Sequence, residues 1–156
     1  MAIAWQARAD DAALLARMLH DFNVEFEDPS PGVGVLTSRV AAFIAGDVKT
    51  YLLGGLKAGE PVGFAQIDFT AAVWCEGPIA HLGELYVMPA ERGKGVGRAL
   101  MAAILELARA RGADGAEVVT GEGDIEARRL YESFGFENQI EGPAKARALF
   151  YELNLG

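Results

Sequence analysis

The sequence has a single cysteine, Cys75, and only two histidines, His20 and His81, in 156 residues. One thiol cannot close an internal disulfide, which agrees with a reducing compartment. These three residues do not supply the cluster of three or four Cys, His and acidic ligands that zinc requires, so no metal is expected. A nucleophilic cysteine needs a base, and neither histidine lies in a cysteine-hydrolase signature, so packing or surface roles account for all three. Positive charge is also scarce: 14 Lys and Arg stand against 22 Asp and Glu, a formal net charge of -8. Phosphate backbones bind basic surfaces, and this balance argues against nucleic acid as the main partner while mildly favouring a cationic substrate. No apolar run is long enough to span a membrane, so no membrane partner is expected. The opening residues MAIAWQARADD bring in acids too early for a secretory signal or an Arg-rich transit peptide, and a cytoplasmic location is expected.

What is present is a globular composition, 51% hydrophobic with no low-complexity tract, over a length that suits one domain spanning residues 1–156. Residues 3–8 alternate as a first strand. Asp10 is placed to cap a helix over 11–26, whose Leu14, Leu15, Met18, Leu19 and Phe22 recur at spacings of three and four. Pro29, Pro31, Gly32 and Gly34 break that pattern, and a second, shorter helix is expected after Thr37 or Ser38, closing at Gly46. Strand-like stretches over 50–56, 62–73 and 81–88, joined by short Gly/Pro turns, read as antiparallel hairpins. A helix over 97–111 shows the stripe Leu100, Ala103, Ile104, Leu107 and Ala108. It is followed by a strand over 116–120, a helix over 124–134 stopping at Gly135, and closing strands near 136–141 and 147–153.

The chemistry concentrates between the third hairpin strand and the helix that follows it, in Arg92-Gly93-Lys94-Gly95-Val96-Gly97-Arg98. Alternate glycines remove Cβ atoms, so the backbone can curl and aim successive N–H groups into one concavity. Those amides also open a helix, whose first turn carries unpaired donors and a partial positive charge suited to a pyrophosphate. Arg92, Lys94 and Arg98 add full charges. Competing phosphate loops fail on their letters. A dinucleotide fingerprint G-x-G-x-x-G needs glycine where Arg98 or Leu100 stands, and a Walker loop needs Ser or Thr after Gly93-Lys94, where Gly95 stands.

The segment from Leu85 to Leu100 resembles the GNAT N-acetyltransferase superfamily, whose coenzyme-A signature [Q/R]-x-x-G-x-[G/A] is satisfied by Arg92 to Gly97. A second block, Asp124-Ile125-Glu126-Ala127-Arg128-Arg129-Leu130-Tyr131-Glu132-Ser133-Phe134-Gly135-Phe136, is similar to the family's N-x-x-A-x-x-L-Y-x-x-x-G-F helix. The resemblance covers nearly the whole chain. It implies an α/β (α+β) fold: a mixed, mostly antiparallel sheet of six to seven strands, splayed between the fourth and fifth, with about four flanking helices. It further implies acetyl-CoA as co-substrate, its pantetheine arm paired with backbone groups of Leu85, Tyr86 and Val87 and its pyrophosphate held by Arg92, Gly93, Lys94, Gly95, Val96, Gly97 and Arg98. Asp124 stands where the family has a cofactor-contacting Asn and is by that position a candidate cofactor contact, but an ionised carboxylate accepts and cannot donate, and helix capping explains it better.

Acyl transfer to an amine whose reference pKa is about 10 requires a base. Glu84 is the candidate, one residue before the pantetheine segment, with Asp68 of the neighbouring strand as the weaker alternative. Tyr131 occupies the family's general-acid position. The resemblance leaves three functions open: acetylation of a small-molecule amine, acetylation of a peptide or protein amine, and an acyl-CoA sensor without catalysis. Family acceptor sites use the loop between the first two helices, here about 22–36, where Glu25, Glu27 and Asp28 stand beside Phe22 and Phe26, and the last strands, here about 142–150. The family often forms dimers, and a homodimer is compatible with the sequence.

Overall fold

The computed structural model describes residues 1–139 and 146–156. Backbone contacts divide the chain into two compact units, Met1–Val118 and Val119–Gly156.

The first unit is a five-stranded sheet in the order β1-β2-β3-β4-β5, formed by β1 (Ile3–Gln6), β2 (Thr50–Gly55), β3 (Gly63–Thr70), β4 (Ile79–Val87) and β5 (Gly115–Val118). The first four strands are antiparallel, as short turns require, and β4 pairs β5 in parallel through the crossover helix α3 (Val96–Ala110). On one face lie α1 (Ala12–Glu25) and α2 (Val33–Ala45). Leu15 and Met18 of α1 and Val40 of α2 form a single core with Tyr51, Leu53, Phe64 and Tyr86 of the sheet. On the other face α3 buries Val96, Leu100, Met101 and Ile104, and packs against β1, β2, β3 and β4. Each fully buried side chain of this size contributes about 1.5–3 kcal/mol. Because helices cover both faces of β2, all six of its residues are buried.

The helix starts differ from the sequence expectation for a physical reason. Thr37 and Ser38 do not cap α2; their hydroxyls donate back to the carbonyls of Val33 and Gly34, at 2.7 and 3.3 Å, inside a helix that has already begun. Asp11, not Asp10, stands at the N-cap of α1, and its carboxylate accepts from the Arg8 amide at 2.8 Å.

The second unit contains α4 (Ile125–Ser133). The expected closing strands do not form among its described residues, where one isolated bridge joins Gln139 to Arg147. Residues 140–141 of the first expected strand, and 142–145 of the expected acceptor segment, lie outside the described residues. The sheet therefore has five strands rather than six or seven among the described residues.

The contact between α3 and the sheet depends on Gly54. A Cβ there would stand 2.8 Å from Leu100 Cγ and 3.0 Å from a Val96 methyl. Gly54→Ala is expected to destabilise the fold by about 1–3 kcal/mol through overpacking, read as a lower urea midpoint with an unchanged slope.

Candidate active site

The site grows from the place where two parallel strands part. The β4–β5 ladder runs from Ile79↔Gly115 to Leu82↔Val118 and stops, while β4 continues to Val87 with only β3 beside it among the described residues. Leu85, Tyr86 and Val87, the predicted pantetheine segment, lie in this extension. The splay between the fourth and fifth strands is thus present.

At the end of β4, Pro89 opens a short 3-10 turn over Pro89–Glu91, and the glycine-rich stretch leads into α3. Gly93 and Gly95 have φ of +76° and +88°, a region that side chains rarely tolerate. Gly95 is the N-cap, and the Ala99 amide donates to its carbonyl at 3.0 Å. The amides of Val96 and Gly97, ahead of that bond, have no carbonyl four residues back within the helix, so the N-terminus of α3 offers donors to a ligand. Space is open around the turn: a Cβ at Gly93 would meet nothing within 4 Å, and one at Gly95 only Ala2, at 3.8 Å.

The three cations of the stretch have different surroundings. Arg92 makes a bidentate ion pair with Glu25 at the end of α1, both contacts at 2.6 Å, and its Nε donates to the Val87 carbonyl at 2.9 Å. It also stands over the Tyr86 ring. The hydrogen bond from Arg92 holds the Glu25 carboxyl below its usual range, against the opposing effect of burial. Lys94 pairs with Glu91 at 2.8 Å, and Arg98 is exposed on the first turn of α3.

Beside this turn, one face of the sheet carries two polar rows. Tyr51, Gln66 and Glu84 are direct partners across β2, β3 and β4; Asp68, His81 and Glu117 are partners across β3, β4 and β5. Positions 81 and 84 are an odd number apart and would face opposite sides of a regular strand. They share a face because Gln66 pairs with Glu84 and Ile67 with Leu82, leaving Gly83 as an extra, bulged residue.

Burial raises the Glu84 carboxyl above its usual range; Lys49 opposes this and Asp28 adds to it. Asp68, the alternative base, is instead held by Lys49 at 3.8 Å, with its Oδ1 buried and without a hydrogen bond. His81 Nδ1 approaches Glu117 at 3.5 Å without a hydrogen bond. An open groove of about 430 Å³ is lined by Asp68, Thr70, Ala72, Ile79, His81 and Glu117.

In the second unit, Asp124 caps α4, its Oδ1 accepting from the Ala127 amide at 3.2 Å. Tyr131 is buried on that helix, its ring 6.0 Å from that of Phe136, and Gly135 ends the helix at φ +91°. The first unit therefore brings together Glu84, Leu85 to Val87 and Arg92 to Arg98, while Asp124 and Tyr131 are placed on α4 of the second. Sequence reasoning missed the Arg92–Glu25 pair and the Tyr51–Gln66 contact. The glycine inside an otherwise regular strand pattern was the available sign of the bulge.

Comparison with known proteins agrees with this geometry. The profile of the acetyltransferase (GNAT) family matches residues 15–136. A crystal structure from Arthrobacter sp. FB24, described as that of an acetyltransferase, superposes with a TM-score of 0.88 at 42% identity, over 98% of this chain and 96% of the other. A segment of 69 residues is 42% identical to mycothiol acetyltransferase of Beutenbergia cavernae, covering 42% of this chain and 23% of that protein. The match to the enzyme of Thermobispora bispora is 45% identical over 83 residues, 51% of this chain and 28% of that protein. The chain thus matches about a quarter of the length of these curated relatives. A structure of a Clostridium acetobutylicum acetyltransferase with acetyl-CoA shares the fold, with a TM-score of 0.75 at 18% identity over 99% of this chain and 97% of the other.

The role of Asp124 can be read in stability. Asp124→Ala is expected to cost about 1 kcal/mol by removing the cap, and Asp124→Asn to stay within a few tenths of wild type, both measured by urea unfolding.

Proposed function

The chain belongs to the acetyltransferase (GNAT) family, and from that premise we propose that it transfers an acetyl group from acetyl-CoA directly to a primary amine of a small molecule. The observation that carries the reading is the turn itself. Two glycines in left-handed conformation deliver the amides of a helix N-terminus to the end of a strand that outruns its parallel neighbour. A pyrophosphate suits those amides and the dipole behind them. An extended pantetheine suits the edge of β4 past Leu82, in the manner of an added strand.

When bound, acetyl-CoA supplies an acyl thioester whose carbonyl carbon is the electrophile. Glu84 takes a proton from the acceptor's ammonium, directly or through water, which frees the nitrogen lone pair. The carbon–nitrogen bond forms, the carbon–sulfur bond breaks, and Tyr131 gives a proton to the departing thiolate. Burial supports Glu84 as the base, since a raised carboxyl pKa lies nearer the pH of use. Asp68 is the poorer base because Lys49 already pairs with its charge. Of the acids at the end of α1 and in the loop after it, Glu25 is committed to Arg92, whereas Asp28 acts electrostatically on Glu84. Acidic groups there and along the groove support a cationic acceptor, and the segment shared with mycothiol acetyltransferases supports a small one.

Calorimetric titration with acetyl-CoA is expected to show micromolar binding that Gly95→Glu abolishes by bulk and charge; absence of binding by folded wild-type protein would defeat the reading. With a panel of amines, coenzyme A release is expected to fall about 10²-fold or more in both Glu84→Gln and Tyr131→Phe. Wild-type activity should decline as pH drops through the raised pKa of Glu84. Stability moves the other way, because a carboxyl whose folded-state pKa is raised opposes folding once it ionises. That penalty is absent below the unfolded pKa, grows as pH rises from the unfolded pKa to the folded one and is complete above it, so Glu84→Gln should raise Tm at pH 8 and leave it nearly unchanged at pH 4.

A further inference from the structure

Gln66 is a polar side chain in the middle of a sheet, and nothing in the chemistry above uses it. Its direct partner on β2 is Tyr51, only 1% exposed, and its direct partner on β4 is Glu84. The Tyr51 hydroxyl donates to Gln66 Oε1 at 2.7 Å. With the oxygen on the Tyr51 side, the amide nitrogen points the other way, and Gln66 Nε2 lies 2.7 Å from the point a Cβ of residue 83 would occupy. The amide therefore fills the side-chain space that Gly83 leaves empty at the bulge, one residue before Glu84. An N–H edge beside a carboxylate favours its anion, whereas a carbonyl edge would oppose it.

We propose that Gln66, oriented by Tyr51 and admitted by Gly83, is the positioning residue of the Glu84 base, presenting N–H donors to the side of the cleft where the carboxylate must ionise. This inference rests on the reading of Glu84 as the base. The arrangement solves a conflict in the site, since a base of raised pKa must be desolvated yet still reach its charged form. The other charges acting on Glu84 are those of Lys49, which favours the anion, and Asp28, which opposes it. Lys49 is itself shared with Asp68. Rotation of the Gln66 amide would turn its carbonyl toward the Gly83 side of the strand and would lose the bond that the Tyr51 hydroxyl donates to Oε1.

Two measurements test this separately from the proposed activity. In protein labelled with ¹³C at the glutamate carboxyl, the Glu84 resonance is titrated in wild type, Tyr51→Phe, Gln66→Leu and Gly83→Ala, none of which needs an acceptor. Tyr51→Phe removes one hydroxyl at nearly constant volume and guards against a Gln66→Leu protein that fails to fold. The midpoint is expected to move up by about half a unit or more in each folded variant. With the amine found in the screen, the acid limb of the kcat profile should move with it, while the plateau at high pH stays within about threefold and the KM for acetyl-CoA stays unchanged. An unmoved midpoint in both Tyr51→Phe and Gln66→Leu would overturn the proposal, as would a uniform loss of rate at every pH, which is the mark of a merely structural role. Full activity in Glu84→Gln would instead remove Glu84 as the base, whatever the midpoints show.

Discussion

The burial of α3 against the sheet is the contact on which the rest depends. Val96, Leu100, Met101 and Ile104 are withdrawn from water almost completely, and the first of them is also the first residue of the helix. Core packing therefore reaches to the very end of the helix, where its amides are unpaired. Unpaired backbone amides have no side chain to tune their position, so that position is set by whatever fixes the helix. Here that is Leu100 and Val96 closing on Gly54, a position where no side chain intervenes between helix and strand.

The fold and the site were legible to different depths, for identifiable reasons. The α3 stripe and the glycine turn could be read because each rests on a local rule: helical period in one case, positive φ in the other. The capping role of Asp124 was readable for the same reason. The start of α2 was misread because a hydroxyl residue before an apolar run looks like a cap, whereas Thr37 and Ser38 bond backward to carbonyls of a helix already under way. The closing strands were expected after the helix stop at Gly135, but pairing is what makes a strand, and the described residues of the second unit contribute one bridge.

Charge placement was the least readable feature. Arg92 belongs to the motif by its position, yet its guanidinium reaches Glu25, 67 residues earlier, and binds the Val87 carbonyl as well. No local pattern announces such a partner. The residue ties the end of α1 to the end of β4, holding in place the loop that carries Asp28 as well as the turn that follows. Lys94 likewise shares its charge with Glu91. Two cations of the motif, Arg92 and Lys94, are thus partnered within the protein.

The bulge at Gly83 has a consequence of a different kind. It acts as a phase change in the strand: before it, odd-numbered residues such as His81 look toward α1 and α2, and after it even-numbered ones, Glu84 and Tyr86, do so. The two halves of β4 are therefore out of step, and the single added residue lets one continuous strand hold His81, Glu84 and Tyr86 on the same side. The spacing between these positions carries structural information that their chemical identities do not. A shift by one would present Glu84 to the apolar underside of α3 and Leu85 to the polar rows, so the count of residues along β4 is as much a part of the site as the carboxylate itself.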